Sequence, residues 1–168
     1  MRLCIRVAAL SFTVALLLPL GAFGQAEKQP AKTDFSGRWR MVKEKSDFAK
    51  TRMPDAIIRV VDQRGTTLNV HTIQTVDNKT SSADVSYFID GSESANIING
   101  HDAVSHAFWD GPALLIRTRI KFPDYDEEIL DRWELSDDGQ TLTTTSQIST
   151  TKGGTELKLV CVKEKAPG

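Results

Sequence analysis

The sequence predicts an all-β protein, an up-and-down meander closed into a single barrel of nine or ten antiparallel strands. Three observations lead there. Turn-forming pairs recur every 9 to 15 residues, at Arg64-Gly65, Asp77-Asn78, Asp90-Gly91, Asn99-Gly100, Asp110-Gly111, Pro123-Asp124, Asp138-Gly139 and Gly153-Gly154. The runs between them are rich in Val, Ile, Thr and aromatic residues, and they lack a 3.6-residue period. Asp-Gly and Asn-Gly favour tight hairpins, because both central residues can take positive φ. A long meander built this way closes on itself to remove its exposed edges.

Taken in chain order, residues 1–24 read as a secretory signal peptide. Arg2 and Arg6 precede an apolar run, Val7–Leu20, interrupted only by Ser11, Thr13 and Pro19; Ala22 and Gly24 then supply the small residues before a cut. The run is shorter than the roughly 20 apolar residues of a spanning helix, so no membrane span is expected after cleavage. No cysteine stands at the cut to be lipidated. Residues 25–33 are polar and read as a disordered leader. The barrel domain is expected over residues 34–165.

Its strands are expected near Phe35–Val42, Ala56–Gln63, Thr66–Val76, Ala83–Asp90, Glu93–Ile98, Asp102–Trp109, Ala113–Phe122, Glu127–Leu135, Thr141–Thr150 and Thr155–Lys163. Only Lys43–Asp55 breaks the beat. Glu44–Lys50 could form one or two helical turns with Ser46 as N-cap, and Pro54 stops them. Such a short helical or loop segment at 43–55 would lie beside one mouth of the barrel, as a lid or as a plain connection.

Composition excludes several classes. The chain has 21 Lys+Arg against 22 Asp+Glu, a formal charge of −1, so it lacks the basic surplus of a nucleic-acid binder. At 40% hydrophobic and 26% charged it is not a charged disordered chain. Signal cleavage would remove Cys4 and leave Cys161 alone, with no internal disulfide. Cys161 alternates with Leu157 and Leu159, which marks a buried, inert thiol.

The clearest alternation lies in Ala113–Phe122. Leu114, Ile116, Ile120 and Phe122 share one face, and Arg117, Arg119 and Lys121 share the other. A charged outer face excludes an outer-membrane barrel, whose outward band must be apolar. Glu128 and Glu134 on the outer face of the next strand answer the basic trio with cross-strand ion pairs.

The inward faces carry the functional signal. Thr72 and Gln74 share a face with Leu68, Val70 and Val76; Thr118 sits with Leu114, Ile116 and Ile120. Asp131 sits among Ile129, Trp133 and Leu135, and Thr144 and Ser146 lie on the face of Leu142 and Ile148. A dry core would strand these polar groups, which is costly. A cavity would satisfy them, with Thr72, Gln74, Thr118, Asp131, Thr144 and Ser146 orienting a ligand and Val70, Leu114, Ile116 and Ile120 supplying contact. The alternatives are a filled barrel that alternates small and large residues to fit its taper, and a bulge that turns Asp131 outward.

Catalytic and metal signals are weak. His71, His101 and His106 include no pair at i, i+2, so no metal or other cofactor is expected. There is no nucleophile elbow and no phosphate-binding glycine loop. Asp131 or His106 could still act as a general base in a cavity. Arg59 and Arg64 read as surface residues, and the phase of Asp102–Trp109 is ambiguous because Phe108 and Trp109 compete for the interior.

The opening Phe35-Ser36-Gly37-Arg38-Trp39 resembles the Gly-x-Trp start of the lipocalin family. Together with Lys45-Ser46-Asp47-Phe48, Trp109-Asp110-Gly111 and Leu135-Ser136-Asp137-Asp138-Gly139-Gln140-Thr141-Leu142, it makes the chain similar to an uncharacterised group of secreted bacterial lipocalin-like, calycin-type proteins. That resemblance implies a barrel whose closed end is plugged by Trp39, with Gly37 beside it, and an exported protein in the periplasm or outside the cell. It implies no activity.

Three functions are compatible with this sequence. The first is an exported, monomeric carrier of a small hydrophobic or amphipathic molecule. The second is a cell-envelope interaction or structural module with a filled barrel. The third is a cavity enzyme acting on a small hydrophobic substrate.

Overall fold

The computed structural model describes residues 33–165. The expected signal peptide and all but the last residue of the expected leader lie outside the described residues. Ten strands follow one another: β1 (Gly37–Met41), β2 (Ala56–Arg64), β3 (Thr67–Val76), β4 (Lys79–Phe88), β5 (Glu93–Ile98), β6 (His101–Asp110), β7 (Ala113–Lys121), β8 (Asp126–Leu135), β9 (Thr141–Thr150) and β10 (Gly153–Lys163). They form one antiparallel sheet in the order β4-β3-β2-β1-β10-β9-β8-β7-β6-β5. The all-β meander expected from the turn beat is therefore present. Its first and last strands pair near the middle of the sheet, with Trp39 opposite Lys163 and Met41 opposite Cys161.

The hairpins follow from backbone chemistry. Asp77 and Asn78 sit at φ 51° and 59°, and Asn99 and Gly100 at 52° and 80°, so each pair turns the chain through two positive-φ residues. Such turns match the right-handed twist of the flanking strands. Of the expected cross-strand pairs on the outer face, those to Glu128 form, whereas Glu134 pairs with Arg132 of its own strand at 3.1 Å. Arg119 reaches Glu128 at 3.3 Å and Arg117 reaches it at 4.0 Å, both well exposed. Exposed pairs of this kind add little stability.

Closure is incomplete between β4 and β5. No backbone ladder joins them; side chains do so instead. Asn96 Oδ1 accepts from the Ser86 amide at 2.9 Å, and its Nδ2 donates to the Ser86 carbonyl at 2.9 Å. Ser94 Oγ accepts from the Phe88 amide at 2.7 Å. One amide side chain thus imitates a strand neighbour.

The two ends of the barrel differ. One end is packed solid. Phe35 and Trp39 are fully buried with Leu68, Leu114, Ile116 and Leu142, and Trp133 closes the group. Phe35 stacks on Trp109 at 6.0 Å and meets Trp133 edge-on at 5.8 Å, the two arrangements that ring quadrupoles favour. Trp39 donates from Nε1 to the Phe35 carbonyl at 2.9 Å, so its one polar atom is satisfied in the core. Lys163 Nζ lies 5.1 Å from the Trp39 ring centroid, adding a cation–π contact. Gly37 takes φ +148°, and a Cβ there would come within 2.6 Å of Lys163 Cε. The backbone angle calls for glycine, since the Lys163 side chain could move aside.

The Lys43–Asp55 segment folds differently from the expected helix. Only Lys43–Lys45 form a 3-10 turn, and Ser46 stands at its C-terminal side rather than at an N-cap. The reason is a tertiary claim on its hydroxyl, which donates to the Val42 carbonyl at 2.9 Å and accepts from the Val160 amide at 3.0 Å. Asp47 then pairs with Lys158 of β10 through two backbone bonds of 2.7 Å. The segment continues the short β1 along β10 and crosses to β2, where the Asp55 amide donates to the Thr75 carbonyl at 2.8 Å.

Candidate functional site

The inward phase assigned from the sequence holds on every strand for which it was given. Registers set Thr72 opposite Arg59 and Ala83, Thr118 opposite Ser105 and Ile129, Asp131 opposite Ile116 and Ser146, and Thr144 opposite Trp133 and Leu159. No bulge turns Asp131 outward. The ambiguous β6 is also settled. Ala103, Ser105 and Ala107 are buried and Trp109 is half-buried, while Val104, His106 and Phe108 stand outside.

Not all ten expected ligand residues face free space. Val70, Leu114, Ile116, Ile120, Thr118 and Thr144 are at most 4% exposed and belong to the packed wall or floor. Thr72, Gln74, Asp131 and Ser146 keep accessible surface, as do Arg59, Ile129 and Leu157 on the same inner face. For Asp131 this combination is informative: loss of hydration is the largest influence on its carboxyl, and yet it is not sealed off. The inward residues that keep accessible surface mark where the barrel interior is least tightly filled. At the open end the surface carries a depression of about 390 Å³ lined by Thr51, Glu127, Ile148, Thr150, Lys152 and Thr155.

The polar groups in the middle largely satisfy one another. Ser105 Oγ and Thr118 Oγ1 share a hydrogen bond of 2.8 Å. The Ser146 hydroxyl donates to Asp131 Oδ1. Arg59 donates from Nη1 to Thr144 Oγ1 at 3.1 Å. Arg59 is therefore an inner residue, which corrects its reading as a surface cation. It lies in phase with the buried Ile57 and Val61, while Asp62 and Arg64 take the outer face. Its guanidinium carbon sits 5.3 Å from the Trp133 ring centroid.

Electrostatics follow from this enclosure. Burial raises the Asp131 carboxyl above its ordinary range, opposed by the Ser146 hydrogen bond and the Arg59 charge. Burial also drives the Tyr87 hydroxyl upward, with a further push from Asp131. It pushes the Cys161 thiol up to about 11, the inert state expected of it.

These shifts set a pH dependence. A raised Asp131 makes the native state bind more protons than the unfolded chain above about pH 3.8. Its contribution to stability is complete below that value and is lost as pH rises through the folded pKa. Asp131→Asn keeps an acceptor for Ser146 but never ionises. The variant is expected to melt above the wild type at pH 7, with the gap closing toward pH 4 in calorimetric scans. A gap that stays constant would show that Arg59 already holds the carboxylate ionised.

The candidate general bases separate. His106 lies on the outer face, its Nδ1 3.3 Å from the Gly91 carbonyl, so it cannot serve inside the barrel. His71 pairs with Asp84 at 2.7 Å outside. His101 lies at the open rim, its ring 4.4 Å from that of Phe122, which stacks on Tyr125 at 4.7 Å. Asp131 and Ser146 thus have no imidazole beside them among the described residues. No group of three potential metal ligands occurs among the described residues.

No family model matches the chain, and no curated protein matches it. Solved structures do match its shape. The fold is that of a calycin-like barrel. Secretory abundant heat soluble protein 4 from Ramazzottius varieornatus superposes with a TM-score of 0.54 at 16% identity, over 80% of this chain and 99% of that one. Zebrafish ileal bile acid-binding protein, solved with cholic acid, gives 0.52 at 18% identity over 77% and 98%. Human cRBP IV gives 0.52 at 14% identity over 79% and 99%. At these identities the likeness is one of architecture.

Proposed function

We propose that this chain is an exported carrier, working in the periplasm or outside the cell, that holds a small and largely apolar molecule in the open half of its barrel. The observation that carries this reading is the accessible surface kept by Thr72, Gln74, Asp131 and Ser146 although all four point inward. A barrel whose purpose was packing would close over them, as it closes over Thr118 and Thr144. A largely apolar wall with a few directed polar groups is the usual make-up of a small-molecule site. The likeness to a bile acid-binding protein solved with its ligand supports the same reading. The Gly-x-Trp opening and the signal-like residues 1–24 support export.

Native mass spectrometry of the protein, purified undenatured from the host that makes it, tests this directly. A reproducible non-covalent adduct that disappears on unfolding is expected, and its mass gives the ligand. A clean apo mass, together with no change in Trp fluorescence on titration with apolar dyes, would overturn the carrier reading.

A second reading, an envelope-interaction module, draws on the outer face. Phe88, Ile97 and Phe108 are exposed at 44%, 63% and 40% on β4, β5 and β6. Substitutions there that abolished partner capture, with interior substitutions silent, would favour it.

A further inference from the structure

The outer face of β5, β6 and β7 carries charges that the molecule itself leaves unmatched. A groove of about 500 Å³ crosses it, with Val104 of β6 between Glu93 of β5 on one side and Arg117, Arg119 and Lys121 of β7 on the other. Registers lay these residues out in rows across the three strands. Glu93, His106 and Arg117 form one row, and Ala95, Val104 and Arg119 the next. In the third, Ile97 stands opposite Asp102, and Lys121 is the next outward residue of β7 after Arg119. Among the described residues only Glu128 pairs with the basic wall, and it sits nearer Arg119, at 3.3 Å, than Arg117, at 4.0 Å. Glu93, Asp102 and Lys121 make no ion pair among the described residues. Apolar surface gathers on the same face: Val104, Phe108 and Ile97 are 38%, 40% and 63% exposed.

We propose that this face joins a second copy of the chain about a two-fold axis running along β6. The pairing is independent of whether the barrel carries a ligand. Sheets packed face to face keep their strands nearly aligned, and an isologous contact needs a patch that complements itself. A two-fold along β6 lays β7 of each copy over β5 of the other. Arg117, the guanidinium less engaged by Glu128, then meets Glu93 of the second copy. Arg119 crosses the small Ala95, which leaves it room. Lys121 lays its aliphatic stem on Ile97 and brings its ammonium beside Asp102. Each unmatched charge gains an opposite one, and each contact occurs twice. Val104 and Phe108 lie on the axis and meet their own counterparts, so an apolar centre acquires a charged rim, as interfaces do. His106 keeps its ring turned to the Gly91 carbonyl. An anionic membrane would match the β7 wall alone and repel Glu93 and Asp102.

Sedimentation velocity of the whole protein, purified from its host, tests the pairing over a concentration series that reaches about 1 mM. A reversible monomer–dimer equilibrium is expected, weakened by added salt. Arg117→Glu and Glu93→Arg are each expected to weaken it at least about tenfold, because every like-charge contact they create occurs twice. An equimolar mixture of the two variants should dimerise again, and so should a chain carrying both substitutions, since either restores opposite charges across the axis. A protein that remains monomeric throughout, a dimer indifferent to both reversals, or a mixture that stays monomeric would each overturn the proposal. A monomer that sediments with anionic vesicles would overturn it in favour of a membrane surface. Both substitutions fall on exposed side chains, and circular dichroism checks their fold. Should either variant not fold, the wild-type series and Lys121→Glu, expected to weaken the dimer likewise, decide the matter.

Discussion

Trp39→Ala is expected to lower the free energy of unfolding by roughly 3–5 kcal/mol. The ring has no exposed surface, its N–H is satisfied by the Phe35 carbonyl, and Lys163 lies over its face. Its removal opens a void between the two strands that join the halves of the sheet, and that region is too tightly braced to collapse into it. The melting temperature should fall on the order of 10–20 °C for a domain of this size. Chemical denaturation monitored by far-ultraviolet dichroism measures the loss. A loss below about 1 kcal/mol would mean that the ring is not the plug of the closed end.

The second large effect tests the difference between the barrel's ends. Leu114→Ala should cost about 3–5 kcal/mol, because that side chain is fully buried beside Phe35, Ile116 and Trp133. Leu157→Ala removes the same atoms from an inward position that retains accessible surface, and it should cost nearer 1 kcal/mol. A pair of denaturation curves decides this. Equal losses would mean that the open half is packed as tightly as the closed one, and the internal space would have to be given up.

The sequence revealed the fold well for reasons visible in single residues. Positive-φ pairs such as Asn99-Gly100 mark turns independently of tertiary context, and Leu114, Ile116 and Ile120 alternate so cleanly with Arg117, Arg119 and Lys121 that one strand fixes inside and outside. The site was less legible. The charge of Arg59 suggests a surface, whereas its phase with Ile57 and Val61 points inward, and the phase is the better signal. In β6 the large residue, Phe108, stands outside and the small Ala103, Ser105 and Ala107 stand inside. Size misleads there, because those positions face a wall already filled by Leu114, Ile116 and Ile120. Ser46 has the residue type of an N-cap, but its hydroxyl is drawn to Val42 and Val160, a partner distant in the chain that no local pattern reveals.

The pairing of β1 with β10 has a consequence for the order in which the molecule can be made. The chain builds two separate meanders, β1 to β4 and β5 to β9, and each ends its own run with an unpaired edge facing the other. Residues 153–163 are the strip that fits between those edges, and they follow both meanders in the chain. Until they arrive, Trp39 has no Lys163 above it and the floor of the barrel lacks Cys161 and Leu159. Contacts that bridge well over a hundred positions are slow to form, because a long loop must close before any of them is made. The barrel can therefore join its halves only once β10 is present, and a chain truncated before Gly153 should remain two loose half-sheets.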